Sequence, residues 1–138
     1  MNAQRVAAFV DGFNLYHAID ELGHDHWMDH EEKESDVGIA IHMIRAALRD
    51  ECDRLLLITR DSDLAPAVRM VRRECPSKTI RLVTPVNRKH SMDLYRAVGD
   101  ARHVTRMKPY HLERSLLPRR IIDREGHEVA IRPVKYDP

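Results

Sequence analysis

The sequence predicts an α/β fold: a mainly parallel sheet with helices on its faces in a three-layer arrangement. Three observations predict it. Short aliphatic runs, at residues 6–10, 55–58 and 79–84, alternate with stretches of helical period. Two of those runs stop abruptly at carboxylates, Asp11 and Asp61, with a helical pattern just behind. The length of 138 residues fits one domain, able to bury about two thirds of its unfolded surface. Right-handed crossovers join successive parallel strands, and ligands of such sheets sit beyond the carboxyl ends of the strands.

Each element follows from its local pattern. Val6-Ala7-Ala8-Phe9-Val10 is the first buried strand; Asp11 ends it and Gly12 allows a tight turn. Leu15, Ala18, Ile19 and Leu22 then mark a helix face, with Gly23 as C-cap. Residues 24–33 are polar and aperiodic and read as a loop. Its His24, His26 and His30 match no strong zinc spacing, so a solvated loop is the expectation. A helix over residues 36–48 carries Val37, Ala40, Ile41, Ile44, Ala47 and Leu48 as its apolar stripe. Ser35 or Asp36 would cap it, and acids at its start also suit the helix dipole without any function. Leu55-Leu56-Leu57-Ile58 is a central strand, followed by Thr59-Arg60-Asp61-Ser62-Asp63-Leu64-Ala65-Pro66. Pro66 fits the first turn of the next helix, whose outer side carries Arg69, Arg72 and Arg73. Residues 79–84 form another strand, closed by Pro85; Asn87-Arg88-Lys89-His90 is a basic loop beyond it. A short helix from Ser91 ends at Gly99, and residues 103–107 form a last strand. From Lys108 prolines punctuate the chain, and residues 121–131 read as a hairpin turning at Glu125-Gly126. The expected division is therefore residues 1–107 as the α/β domain and 108–138 as a C-terminal extension with the hairpin.

The net charge of +1 hides an uneven distribution. From Asp20 to Asp36 there are eight acids against Lys33 alone; from Arg69 to Lys89 there are seven bases against Glu74 alone. An acidic pocket beside a basic surface suits a metal-dependent enzyme acting on a polyanion. Cys52 and Cys75 have no metal-ligand spacing and fit a reducing compartment. No run approaches the roughly 18 apolar residues of a membrane span. The opening apolar run is too short for a secretory segment. A soluble, cytoplasmic protein is expected.

The candidate chemistry lies in Asp11, Asp36, Asp61 and Asp63. If the extended chain continues to Asp63, Asp61 and Asp63 leave the same face. A plainer alternative makes Asp63 the cap of the next helix and leaves Asp61 in solvent. Four acids converging on one rim call for a cation; Mg²⁺ or Mn²⁺ suits such hard oxygen donors and shares its sphere with water and phosphate. Such an ion activates water and stabilises charge at phosphorus. The basic helix and Asn87, Arg88 and Lys89 would hold a phosphate backbone. Together these features argue for hydrolysis of nucleic-acid phosphodiesters. No phosphate loop, Ser-His-Asp arrangement or activated cysteine is evident.

Three blocks, Val10-Asp11-Gly12-Phe13-Asn14-Leu15-Tyr16, Lys33-Glu34-Ser35-Asp36-Val37 and Thr59-Arg60-Asp61-Ser62-Asp63-Leu64-Ala65-Pro66, resemble the signature blocks of NYN domains in their usual order. These belong to the PIN-like nuclease superfamily and include the LabA-like proteins. The resemblance spans residues 5–106. It implies a PIN-like (Rossmann-like) α/β/α sandwich, a divalent-metal site and endoribonuclease activity on RNA. Asp11, Asp36, Asp61 and Asp63 would be the metal-binding, catalytic acids. Asn14 would orient a ligand or a bound water, and Ser62 would contact phosphate. Two departures stand out. Residues 17–32 are too few for the strand and long helix usual between the first two blocks, so the sheet should be reduced by about one strand-helix unit. A homodimer could cover the face thus exposed. Arg60 also stands where a small glycine is common, which makes the approach more crowded or more phosphate-friendly. The alternatives are a catalytically degenerate RNA-binding or protein-interaction module on the same scaffold, and a metal-dependent phosphatase or 5′ nuclease.

Overall fold

The sheet is assembled from the aliphatic runs. Residues 4–12, 15, 35–115 and 118–131 are described by a computed structural model. Strands β1 (Val6–Val10), β2 (Arg54–Ile58), β3 (Thr79–Thr84) and β4 (Val104–Arg106) lie side by side in sequence order, all parallel. Between them run α1 (Ser35–Leu48), α2 (Ala65–Glu74) and α3 (Met92–Val98). A sheet of this order with right-handed crossovers carries its connecting helices on one face. The packing agrees, since α2 lies between α1 and α3 and touches both. The expected helix at residues 15–22 and the loop at 24–33 lie outside the described residues, apart from Leu15.

Alternation along the strands shows which face is the core. Leu55 and Leu57 on β2, with Ile80, Leu82 and Thr84 on β3, are buried, while their neighbours are only half-buried. Met43, Ala46 and Ala47 from α1, Val68 and Val71 from α2, and Leu94, Ala97 and Val98 from α3 close over them. A fully buried Leu in this cluster contributes roughly 1.5–3 kcal/mol. The buried stripe of α1 corrects the expected one. Ala47 is in it and Ala40 and Ile44 are partly buried, but Val37, Ile41 and Leu48 are exposed. The helix is apolar on nearly every side, so period alone does not choose the inward face. On the opposite sheet face, Val6 and Val10 are 55% and 42% exposed.

Ends of elements follow local chemistry. Ser91 caps α3 by accepting from Leu94 N–H, and Gly99 ends it at φ 76°. The Arg72 guanidinium donates to the Ala97 carbonyl at 2.8 Å and crowds the place where a Cβ on Gly99 would stand. At the amino edge, Arg5 bridges Asp50 and Asp53, and Lys78 also meets Asp50. That network ties the start of β1 to the turn before β2 and to the approach to β3. Beyond β4, a short helix α4 (Pro109–Glu113), not anticipated from sequence, precedes a separate antiparallel pair, β5 (Arg120–Ile122) and β6 (Glu128–Ile131). Its turn includes Gly126 at φ 89°, as the Glu125-Gly126 signal requires.

Candidate functional site

Strand register sets the site. Val10, Ile58 and Val83 are aligned across β1, β2 and β3, so Asp11, Thr59 and Thr84 follow as a row at the carboxyl rim. All three are fully buried. Asp11 N–H donates to the Ile58 carbonyl at 2.9 Å, extending the ladder one residue beyond β1. Leu15 N–H then returns to the Asp11 carbonyl at 3.0 Å, the first bond of a helical turn. The expectation that Asp11 stands where a strand meets a helix start therefore holds.

Three carboxylates from three distant segments meet at this rim. Oxygens of Asp11, Asp36 and Asp61 all lie within 4.8 Å of one another. Asp11 comes from the end of β1, Asp36 from the first turn of α1 and Asp61 from just beyond β2. Asp11 is 0% exposed, while Asp36 and Asp61 are half-buried. A second group of possible ligands, Asp123, Glu125 and His127, lies exposed on the hairpin turn.

Thr59, which the sequence reading did not single out, joins two of the rim acids. Its hydroxyl donates to Asp11 Oδ2 at 2.7 Å and accepts from Asp61 N–H at 3.0 Å. One side chain thus holds the first acid in its rotamer and the third at its backbone. The available signal was its place, directly after an aliphatic strand and two residues before an acid. Thr84, next in the row, has a buried hydroxyl with no hydrogen-bond partner among the described residues.

Asp63 does not join the three acids. The chain does not stay extended beyond Thr59; residues Ser62–Leu64 form a 3-10 turn. The expectation that Asp61 and Asp63 leave one strand face is thereby corrected. The plainer alternative is also reversed, because Asp61, not Asp63, is the cap: its Oδ1 accepts from Asp63 N–H at 2.8 Å. Capping uses one oxygen of Asp61 and fixes the direction of the other. Asp63 is exposed and lines a shallow cleft with Ser62, Pro66, Arg69 and Asp93. Arg60 is exposed beside the rim. Asn87, Arg88 and Lys89 line another cleft, beyond β3. Asn14 lies outside the described residues.

The donor set fits a hard divalent cation. Three carboxylates supply oxygen ligands only, and fewer than six from protein leave room for water and phosphate oxygens. Charges this close also repel without a counter-ion.

The class is thus an α/β protein with an acidic rim at the carboxyl end of a parallel sheet. The NYN domain family model matches residues 22–104, more than half of the chain, and the chain belongs to the NYN domain family. NYN domains sit within the PIN-like nuclease superfamily, whose members generally use divalent metals. The match begins after the first motif block, so Asp11 enters the site on geometry rather than on the family match. No curated protein matches the chain. A Vibrio parahaemolyticus protein of unknown function is similar to it in structure, at 17% identity and TM-score 0.43, over 75% of this chain and 67% of that one. No helix among the described residues is long and apolar enough to cross a membrane.

Proposed function

We propose that the protein is a divalent-metal-dependent endoribonuclease that hydrolyses RNA phosphodiester bonds at the carboxylate rim. The convergence of Asp11, Asp36 and Asp61 from three separate segments carries this reading. These three acids would hold Mg²⁺ or Mn²⁺. When bound, the ion supplies a nucleophile at neutral pH and charge stabilisation at phosphorus. Thr59 keeps the Asp11 carboxylate in place and anchors the Asp61 backbone. Asp61 presents the oxygen not used for capping. Asp63 stays at the edge of the rim, without a place in the triad. Arg60, Ser62 and the Asn87-Arg88-Lys89 loop contact the phosphate backbone, where a guanidinium or ammonium neutralises charge without reading bases. Asn14 belongs to the same proposal by its motif position.

The test is cleavage of a labelled single-stranded RNA with Mn²⁺ or Mg²⁺, comparing the wild type with Asp61→Asn. The expected result is metal-dependent cleavage that falls by more than about 100-fold in the variant, since disturbing even the outer partners of such ligands costs 10–100-fold. Equal activity in both proteins removes Asp61 from the mechanism. Activity in neither, with both folded, favours the non-catalytic binding module.

A further inference from the structure

The cleft beyond β3 and β4 is a second feature of the same rim. It measures about 390 Å³, and its walls come from two strand exits. Pro85, Asn87, Arg88 and Lys89 form one wall; Arg106, Met107, Lys108 and Pro109 form the other. Among the described residues, four cations line it and no acid does. Arg106 and Lys108 played no part in the sequence reading, because nothing in the chain shows that β4 lies beside β3.

Both walls are preformed. Arg88 N–H donates to the Pro85 carbonyl at 3.3 Å, closing a tight turn. Asn87 takes φ 57°, a left-handed value that asparagine tolerates well. Val86, within that turn, is fully buried. On the other side, Met107 N–H donates to the Thr84 carbonyl at 2.9 Å, extending the β3–β4 ladder. Lys89, Arg106 and Lys108 are exposed and Arg88 is half-buried, but the backbone that carries them is anchored. Among the described residues no ion pair engages Lys89, Arg106 or Lys108.

The acid triad sits at the β1–β2 end of the rim and this cleft at the β3–β4 end. Strands lie about 4.8 Å apart, so the two centres are separated by two spacings, about 10 Å along the rim. Each strand of a duplex advances about 3.4 Å per nucleotide along the axis, and an unstacked single strand advances further. At most about three nucleotides therefore cover the distance.

Resting on the ribonuclease reading, we infer that this cleft is a phosphate subsite. It grips the backbone of a single-stranded nucleic acid no more than about three nucleotides to one side of the bond held at Asp11, Asp36 and Asp61. It makes the substrate an oligomer rather than a small phosphate ester, and it fixes which way the strand lies. It carries no base readout, because lysine and arginine on phosphate position a strand without specifying its sequence.

The experiment measures binding of fluorescein-labelled oligouridylates to the full chain by anisotropy, in chelator, so that no cleavage intervenes. Wild type is compared with Arg106→Gln/Lys108→Gln, with Lys89→Gln on the facing wall, and with Arg49→Gln at the opposite edge of the sheet as control. Melting curves verify folding. A 12-mer is expected to bind the double variant at least about 10-fold more weakly, with its log K against log salt slope reduced by about 1.4, the value for two lost phosphate contacts on a single strand. Lys89→Gln should move in the same direction, and Arg49→Gln should bind the 12-mer as the wild type does. In cleavage, KM should rise in the double variant with kcat kept. Unchanged 12-mer affinity in the folded double variant and in Lys89→Gln overturns the subsite. So does an equal loss for Arg49→Gln, which would indicate a diffuse field. The two readings separate cleanly. Cleavage that is lost in Asp61→Asn but indifferent to the cleft variants keeps the ribonuclease and removes the subsite. Binding through the cleft without metal-dependent cleavage does the reverse.

Discussion

Among the described residues two groups of metal-capable side chains come together, and they are built in opposite ways. At the rim, Asp11, Asp36 and Asp61 come from segments 25 residues apart and meet partly beneath the surface. At the hairpin, Asp123, Glu125 and His127 lie within five residues of one another and in solvent. The hairpin group already has its structural explanation. Asp123 Oδ1 accepts from the N–H groups of Glu125 and His127, each at 2.8 Å, and so holds the turn closed. Those bonds also keep the Asp123 carboxyl below its usual range, the His127 N–H being the largest cause. At the rim, Thr59 holds Asp11 and Asp61 caps the next turn, with the three carboxylates within 4.8 Å of one another. Proximity of acids is therefore not itself a signal. What separates the groups is burial, and whether their members come from distant segments or from a single turn.

The sharpest way to break this comparison is to remove one acid from each group. Asp61→Asn should lose more than about 100-fold in metal-dependent RNA cleavage, whereas Asp123→Asn should leave it unchanged. Parallel losses would erase the distinction. Next in size is the thermal response to metal. A ligand bound only by the folded state at 100 times its Kd stabilises by about 2.7 kcal/mol, a rise in Tm on the order of 10 °C here. Calorimetry with Mn²⁺ should show that rise in the wild type and in Asp123→Asn, and not in Asp61→Asn. Thr59→Val tests the support beneath the rim. It leaves a buried carboxylate short of a donor, so cleavage should fall about 10–100-fold and stability by roughly 1–3 kcal/mol in urea melts. Thr84→Val should instead be neutral or stabilising, since its hydroxyl is buried without a partner among the described residues.

The smallest effect sharpens the hairpin side. A carboxylate whose folded pKa is depressed adds stability that is fully present above its unfolded value, near 3.9, and is lost as pH falls through the folded value. Asp123 should follow this course, with the amide signals of Glu125 and His127 losing protection against exchange below about pH 4. Asp53, which Arg5 holds at about 2, should do the same for the amino edge of the sheet between about pH 4 and 2. Amides of the turn that stay protected through that range would show that Asp123 is not what closes it.

Much of the fold was legible because its determinants are local. Aliphatic runs marked β1, β2 and β3; Pro66, Ser91 and Gly99 marked helix ends; Gly126 marked the hairpin turn. Each of these signals is a backbone preference that acts within a few residues. The inward face of α1 was not legible, because a helix apolar on nearly all sides leaves the choice to whatever packs against it. For the same reason Val37, Ile41 and Leu48 were misassigned to the core. Asp63 was misplaced because two-residue alternation assumes an extended chain, and a cap bond from its own N–H to Asp61 was enough to turn that chain into a 3-10 helix.

The amino-acid sequence by itself determined the elements, the three motif blocks and the kinds of side chain available at the strand ends. Tertiary structure alone decided which ends are neighbours. The parallel register set Asp11, Thr59 and Thr84 in one row, and β4 beside β3 brought Arg106 and Lys108 opposite Lys89. The reason is physical: strand pairing joins residues through hydrogen bonds and burial that have no counterpart in chain distance. A site made at a sheet's rim therefore exists only once the sheet has closed.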